Sequence, residues 1–357
     1  MADSPSAKVA IVIVNWNNWR DCVECIDSVM GQSHCDFQIF LIDNASVDES
    51  VKQISEWCER PRSETQWRRH SGVVRLTDDA ELARNGVKYV ISDHLGAPLG
   101  NTRGPGPLTL IRSGANRGYA GGCNVGIRAA GIDRFDYFWF LNSDTVVHRY
   151  ALSALLARAK RDRSVGLVGS TLRFYDQPDT VQALGGSNLD MRTMSHKHVG
   201  AGLRADEVPR DAAEVESQLV YIFGASMLVS SAFIQNVGLM EEDYFLYYEE
   251  FDWALRGRSR YSLGYAPDSH VFHKSGASSF KVMPVFSARY YYRNRIRFFS
   301  RFFPAHMATV KRGLVADLIR RILHGELRIA RVVARALWDA RGLTHQAAAS
   351  VSFEKHA

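Results

Sequence analysis

Phe138-Trp139-Phe140-Leu141-Asn142-Ser143-Asp144-Thr145, "FWFLNSDT", runs four large apolar side chains straight into Asn-Ser-Asp. The apolar half suits a strand buried on both faces of a parallel sheet, because a strand with one wet face alternates instead. A carboxylate directly after such a strand stands where open α/β sheets bind ligands, beyond the carboxyl ends of their strands. The same punctuation recurs along the chain. "KVAIVIVNW" (Lys8–Trp16) closes on Val14-Asn15-Trp16-Asn17, "FQIFLIDNAS" on Asp43-Asn44-Ala45-Ser46, and "LTLIRSGANRG" on Asn116-Arg117-Gly118. A single Asp after a strand is commonly a turn former or helix cap. Four polar strand ends in succession point to one cleft.

Between these strands the pattern predicts helices. Val23, Ile26, Val29 and Met30 recur three to four apart within Trp19–Gly31, and Asp48–Cys58 and Arg149–Lys160 also read as helices. Strand, helix and strand within about forty residues make a βαβ unit. From Arg60 to Pro107 a basic stretch and a Gly/Pro-rich one enclose a weak strand, "VKYVIS", and the segment reads as an insertion. Residues 176–220 are polar and read as a loop or meander. "QLVYIFGASMLVSSAFIQNVG" reads as strand then helix, "YFLYYEEFDWALRGRSRYS" leads into a helix, and "GYAPDSHVFH" is a last strand. The expectation is an α/β fold with a mostly parallel central sheet flanked by helices and a helical C-terminal extension. Two regions are expected: residues 1–303 with an insertion at 60–107, and a basic amphipathic helical region at 304–357.

At 357 residues, with 46% hydrophobic and 23% charged residues, the composition is that of an ordinary globular chain. No apolar run approaches the ~18 residues that cross a bilayer, and the N-terminal run is too short for a signal peptide, so a cytoplasmic location is expected. Five cysteines fit reduced thiols, and Cys22 and Cys25 form a lone C-x-x-C on a predicted helix. The net charge of +6 is concentrated late in the chain. Twelve Lys/Arg lie from Arg293 to Arg341 against only Asp317, Glu326 and Asp339, which suggests an anionic membrane surface or phosphates as a partner. Leu314, Leu318, Ile322, Ile329, Val333 and Leu337 recur at helical spacing opposite a basic stripe. That stripe suits either the inner face of a membrane or packing on the chain's own core or a second subunit.

Several constellations have the right chemistry for a site. "GANRGYAGGCNVG" is neither G-x-G-x-x-G after the first strand nor a P-loop, so its glycines serve close backbone approach, to a ligand or to a neighbouring element. Asp144 alone holds a divalent cation poorly, and His273, ending the "SHVFH" strand, is the candidate second ligand. Glu249, Glu250 and Asp252 open a helix after the aromatic "YFLYY". Acids there complement the helix dipole, and Asp252 pairs naturally with Arg256. An aromatic wall also desolvates a carboxylate and raises its pKa towards that of a working base.

These segments in this order resemble the inverting family-2 glycosyltransferases with a GT-A fold, and more narrowly bacterial rhamnosyltransferase-like members that build surface polysaccharides. "VAIVIVNWNN", "LIDNASVDES", "GANRGYAGGCNVGI", "FWFLNSDTVV", "FGASMLVSS", "YFLYYEEFDWALRGR", "VFHKSGAS" and "YYYRNRIRFF" carry the resemblance. It implies that Val14 and Trp16 flank a nucleotide base that Asp43 reads, and that Asn116 and Gly118 lie along the nucleotide and sugar. It also implies that Asp144, in the DXD position Asn142-Ser143-Asp144, contacts a divalent cation, Mg²⁺ or Mn²⁺, with His273 as a further ligand. Glu250 takes the place of the catalytic base, preceded by Glu249. Asn142 replaces the first DXD aspartate, and "EE" replaces "ED". The implied donor is a nucleotide sugar, dTDP-rhamnose favoured over UDP-galactofuranose or another hexose, and the acceptor a glycan or polyprenyl-linked sugar. No nucleic acid is expected. A non-catalytic sugar-nucleotide or glycan-binding protein is the rival that Asn142 suggests. A nucleotidyltransferase would show a Gly-rich basic signature near the first strand, where "NWNNWR" stands instead.

Overall fold

The computed structural model describes residues 6–60, 87–97, 99, 106–209, 211–274 and 284–340. Its first part alternates strand and helix: β1 (Val9–Asn15), α1 (Trp19–Met30), β2 (Phe37–Asp43), α2 (Ser50–Glu59), β3 (Tyr89–Asp93), β4 (Leu108–Arg112), α3 (Gly118–Ala130) and β5 (Tyr137–Asn142). Then come β6 (Thr145–Val147), α4 (Ala151–Arg161), β7 (Val165–Phe174), β8 (Val181–Leu184), β9 (Gly186–Asp190) and β10 (Ser195–His198). After these lie α5 (Ala212–Glu216), β11 (Tyr221–Ile222), β12 (Ser226–Ser230), α6 (Ser231–Val237), α7 (Glu249–Gly257) and β13 (Ser262–His273). Three helices close the described chain: α8 (Val285–Phe302), α9 (Met307–Leu323) and α10 (Leu327–Asp339).

The main sheet runs β3-β4-β2-β1-β5-β12-β7-β13-β6, with β8 on β7. Strands β3, β4, β2, β1 and β5 are mutually parallel, whereas β12 enters antiparallel between β5 and β7. The unbroken apolar runs follow from burial on both faces. Val9, Ile11 and Ile13 pack with α1, α2 and α4, while Ala10 and Val12 pack with α3 on the other side. Cys22 and Cys25 belong to the first of these cores, where burial pushes both thiols up and leaves them as packing groups.

The structure sharpens two readings. The weak strand read between Arg60 and Pro107 is β3, the edge strand of the main sheet, paired parallel with β4 from Tyr89↔Leu108 to Asp93↔Arg112. Its five buried or half-buried residues give only a weak signal in sequence. Of the loop and meander readings of residues 176–220, the structure favours strands: β9, β10 and β11 form a small antiparallel sheet, and β8 extends the main one.

The C-terminal helices pack on the body through α8. Leu314, Ile329 and Val333 are buried with Tyr248, Phe251, Ile296 and Phe299, and Leu318 and Leu337 pack against the same cluster. The apolar stripe read from the sequence therefore faces the protein, except for Ile322.

Candidate active site

Strand pairing builds the first element of the site. β6 runs antiparallel to β13 with Thr145 opposite His273, and Lys274 N–H donates to Asp144 O at 2.9 Å. Two residues far apart in sequence thus meet, with His273 Nε2 3.2 Å from Asp144 Oδ1. The His273 Nδ1–H donates to Gln182 Oε1 at 2.9 Å, which turns Nε2 towards the carboxylate. Two acceptors this close call for a proton or a cation between them. Asn142's side-chain amide lies 3.5 Å from the same Nε2. One hard oxygen donor and one imidazole fit a cation such as Mn²⁺ or Mg²⁺ whose remaining positions a diphosphate and water would fill. Among the described residues no cluster of three or more His, Cys, Asp or Glu exists, so the protein alone does not close a coordination sphere.

The ends of β1 and β2 form the second element. Asn15 lies opposite Asp43 in the parallel register. Both are buried, and Asp43 Oδ1 and Asn15 Oδ1 have no hydrogen-bond partner among the described residues. Burial pushes the Asp43 carboxyl up, against hydrogen bonds from Ser46 that lower it. Orphaned buried acceptors are costly unless a ligand supplies donors. Val14 is half-buried and Trp16 is 49% exposed at the same edge.

Asn44, which sequence reading passed over, ties this end to the Gly-rich turn. Its amide donates to Asn116 Oδ1 at 3.1 Å and to Gly118 O at 2.9 Å, and its own oxygen accepts from Arg117 N–H at 3.1 Å. Asn116 Oδ1 also accepts from Gly118 N–H at 3.0 Å, so that oxygen shapes the turn. The glycines divide in purpose. A Cβ on Gly122 would stand 2.7 Å from Val14 Cγ1, so that glycine lets α3 lie close on β1. Gly118 adopts φ +69°, and a Cβ there would meet Phe245 O at 2.1 Å. Its neighbour Tyr119 donates its N–H to that same carbonyl at 2.7 Å.

Phe245 begins the third element. Phe245, Tyr247 and Tyr248 have φ of 63°, 69° and 75°, a left-handed run without glycine. Each such residue costs about 1–3 kcal/mol and persists only where its surroundings fix it. The fixing group is Asn294 of α8, fully buried, whose amide donates to the carbonyls of Tyr244 at 2.7 Å, Leu246 at 2.8 Å and Tyr247 at 3.0 Å. "YYYRNRIRFF" held this residue in plain view, but nothing in its spacing marks the loop it grips.

The loop delivers Glu249 and Glu250 to a cavity of about 1160 Å³ that also contains Asn142, Asp144 and His273 on its wall. Both glutamates line it, although successive helical residues point about 100° apart. Their environments still differ. Glu250 approaches Gly224, where a Cβ would stand 2.1 Å from Oε1, so glycine in "FGAS" makes room for the carboxylate. Burial raises the Glu250 carboxyl to about 7, opposed by hydrogen bonds from its own N–H and that of Gly224. Glu249 is driven well above the carboxylate range by burial and then by the Glu250 charge, and its Oε2 has no partner among the described residues. Asp252 is held elsewhere, by Arg256 Nε at 2.7 Å and Arg301 Nη1 at 2.8 Å.

Tyr221, Tyr248 and Phe251 supply the desolvating wall, with His196 edge-on to all three. Burial lowers the His196 pKa to about 4, so it is neutral. His198 stacks on Phe223 with ring centres 4.5 Å apart.

The chain belongs to glycosyl transferase family 2, whose sequence pattern matches residues 10–85 and 90–199. Its fold is of the GT-A type. The structure of GalNAc-T7 with UDP, GalNAc and Mn²⁺ superposes with a TM-score of 0.56 and 14% identity over 84% of this chain and 49% of that one. The mannosyltransferase PcManGT from Pyrobaculum calidifontis, in complex with GDP-Man and Mn²⁺, superposes with a TM-score of 0.51 and 14% identity over 96% of this chain and 77% of that one. This chain thus spans about half the length of GalNAc-T7. No curated protein matches it.

Proposed function

We propose that the chain transfers a sugar, with inversion, from a nucleoside-diphosphate donor to a hydroxyl of a glycan or polyprenyl-linked acceptor. The observation that carries this reading is Glu250, a carboxyl raised to about 7 in the same cavity as Asp144 and His273. A base poised near the working pH is half ionised there and retains proton affinity.

In this reading Asp43 and Asn15 take hydrogen bonds from the base between Val14 and Trp16. Asp144 and His273 hold a divalent cation, which when bound would neutralise charge on the leaving diphosphate. Glu250 takes the proton from the acceptor hydroxyl as its oxygen bonds to the anomeric carbon. The bond from that carbon to the diphosphate oxygen breaks on the opposite side, and its electron pair leaves with the nucleoside diphosphate. One displacement inverts the centre. Glu249, kept protonated, offers a hydrogen-bond donor to the sugar. The family resemblance favours dTDP-rhamnose as donor and a cell-surface polysaccharide as destination.

A screen of nucleotide sugars with purified protein, read by release of nucleoside diphosphate and by the anomeric configuration of the product, tests this. Turnover of one donor, inverted product, and loss of rate on chelation restored by Mn²⁺ or Mg²⁺ are expected. Full rate after chelation would remove the cation from the reading. Binding of donors with no turnover of any would favour the non-catalytic alternative.

A further inference from the structure

The C-terminal helices leave a second apolar face uncovered, distinct from the stripe buried on α8. Val315, Ile319, Ile322 and Leu323 are 45–79% exposed. At 100° per residue they span about 100° of α9; Val310 and Leu314 lie outside that arc towards the core, and Leu318 borders it, about 40° from Ile322. Leu327, just beyond the α9–α10 turn, and Trp338 on α10 are exposed as well. Single exposed apolar residues are ordinary, but a run of four on one helix face marks an interaction surface. Lys311 and Arg312 on α9, and Arg328 and Arg331 on α10, are exposed and have no acidic partner among the described residues. The acids of these helices are engaged elsewhere: Asp317 with Arg320 and Arg321, Glu326 with Arg321, and Asp339 with Arg335.

The charges select the occupant. A second copy of this chain seated on the face about a two-fold axis would bring two sets of Lys311, Arg312, Arg328 and Arg331 into one interface, with no acidic residues left among those described to match them. An anionic lipid surface offers apolar depth for the stripe and phosphates for its cationic flank. The other side of α9 contributes Asp317, Arg320 and Arg321 to the wall of the active-site cavity. One helix therefore has the cavity on one side and the uncovered stripe on the other. None of the described helices is long and apolar enough to cross a membrane, so contact of this kind is superficial.

We propose that the α9–α10 face docks on an anionic bilayer, with Val315, Ile319, Ile322 and Leu323 at headgroup depth and the four unpaired cations on lipid phosphates. The proposal is independent of the transfer chemistry, because it is read by binding alone.

Flotation of the full chain with vesicles of phosphatidylcholine, with and without phosphatidylglycerol, tests it. Wild-type protein should float with the anionic vesicles and stay behind with the neutral ones, and salt should weaken binding, each basic residue multiplying partition by about fivefold. Ile319→Glu with Leu323→Glu should lower partition at least tenfold at an unchanged melting temperature. Should that variant melt early, Lys311→Glu with Arg312→Glu reverses two charges at exposed positions and should lower binding to the anionic vesicles at least as far. No flotation of wild-type protein, or flotation of both variants like wild type, overturns the proposal. So does a solution dimer that the apolar variant converts to monomer, which would assign the face to a second copy.

Discussion

The two ends of the site work by opposite physics. At the β1–β2 end, buried acceptors are left open: Asp43 Oδ1 and Asn15 Oδ1 have no partner among the described residues beside a half-exposed Trp16. At the α7 end, carboxyls are crowded by Tyr221, Tyr248 and Phe251 until their proton affinity changes. The first end stores unmet hydrogen bonding, which a ligand collects on binding. The second stores proton affinity, which is useful only while bonds are changing. Binding and rate should therefore separate under mutation.

The largest separation is expected at Glu250. Glu250→Gln should lower kcat by about 10²–10⁴ with donor affinity and melting temperature near wild type. In the wild type, activity should rise with pH through about 7 and level off above it, because only the ionised form of this raised carboxyl takes a proton. A profile flat across pH 6–8, at about full activity, would break the comparison at once. Asn294→Ala comes next. It frees the Leu246 and Tyr247 carbonyls and removes one of the donors to Tyr244 O, and a displacement of ~1 Å can cost about 10² in rate. The expected loss is in kcat more than KM, with the pH profile changed as Glu250 moves; a loss seen only in melting temperature would make Asn294 merely structural.

Asp43→Asn tests the other end, where one mismatched buried hydrogen bond costs about 1–3 kcal/mol. KM for the donor should rise about tenfold or somewhat more while kcat holds, and calorimetry with the nucleoside diphosphate should show the same loss. Glu249→Gln should have the smallest effect, about two- to fivefold in rate. Glutamine reproduces the shape of a carboxyl that burial already keeps protonated. If Glu249→Gln falls as far as Glu250→Gln, the two glutamates exchange roles.

The two ends also differed in how far they could be read beforehand. Asp43 and Asn142 each follow directly on an apolar run and Asn116 follows one after a short turn, so their place at the sheet's edge follows from local pattern and the α/β rule. His273 could be suspected from its type alone. That it touches Asp144 depends on β6 pairing with β13, a contact across more than a hundred residues that no local pattern encodes. Gln182, which orients His273, lies in a stretch whose short strands alternate too little to be seen. The C-terminal stripe was a true helical pattern, but α9 carries apolar residues on two faces, and only packing against α8 decides which one is covered.

Asn294 has a further consequence in time. It lies about 150 residues beyond Asp144, and at ~5–20 residues per second the ribosome needs on the order of ten seconds to reach it. A nascent chain can complete its nucleotide end while the loop before Glu249 still lacks the amide that holds its left-handed turn. The loop that carries Glu249 and Glu250 into the cavity is thus the part of its wall whose fixing residue is made late.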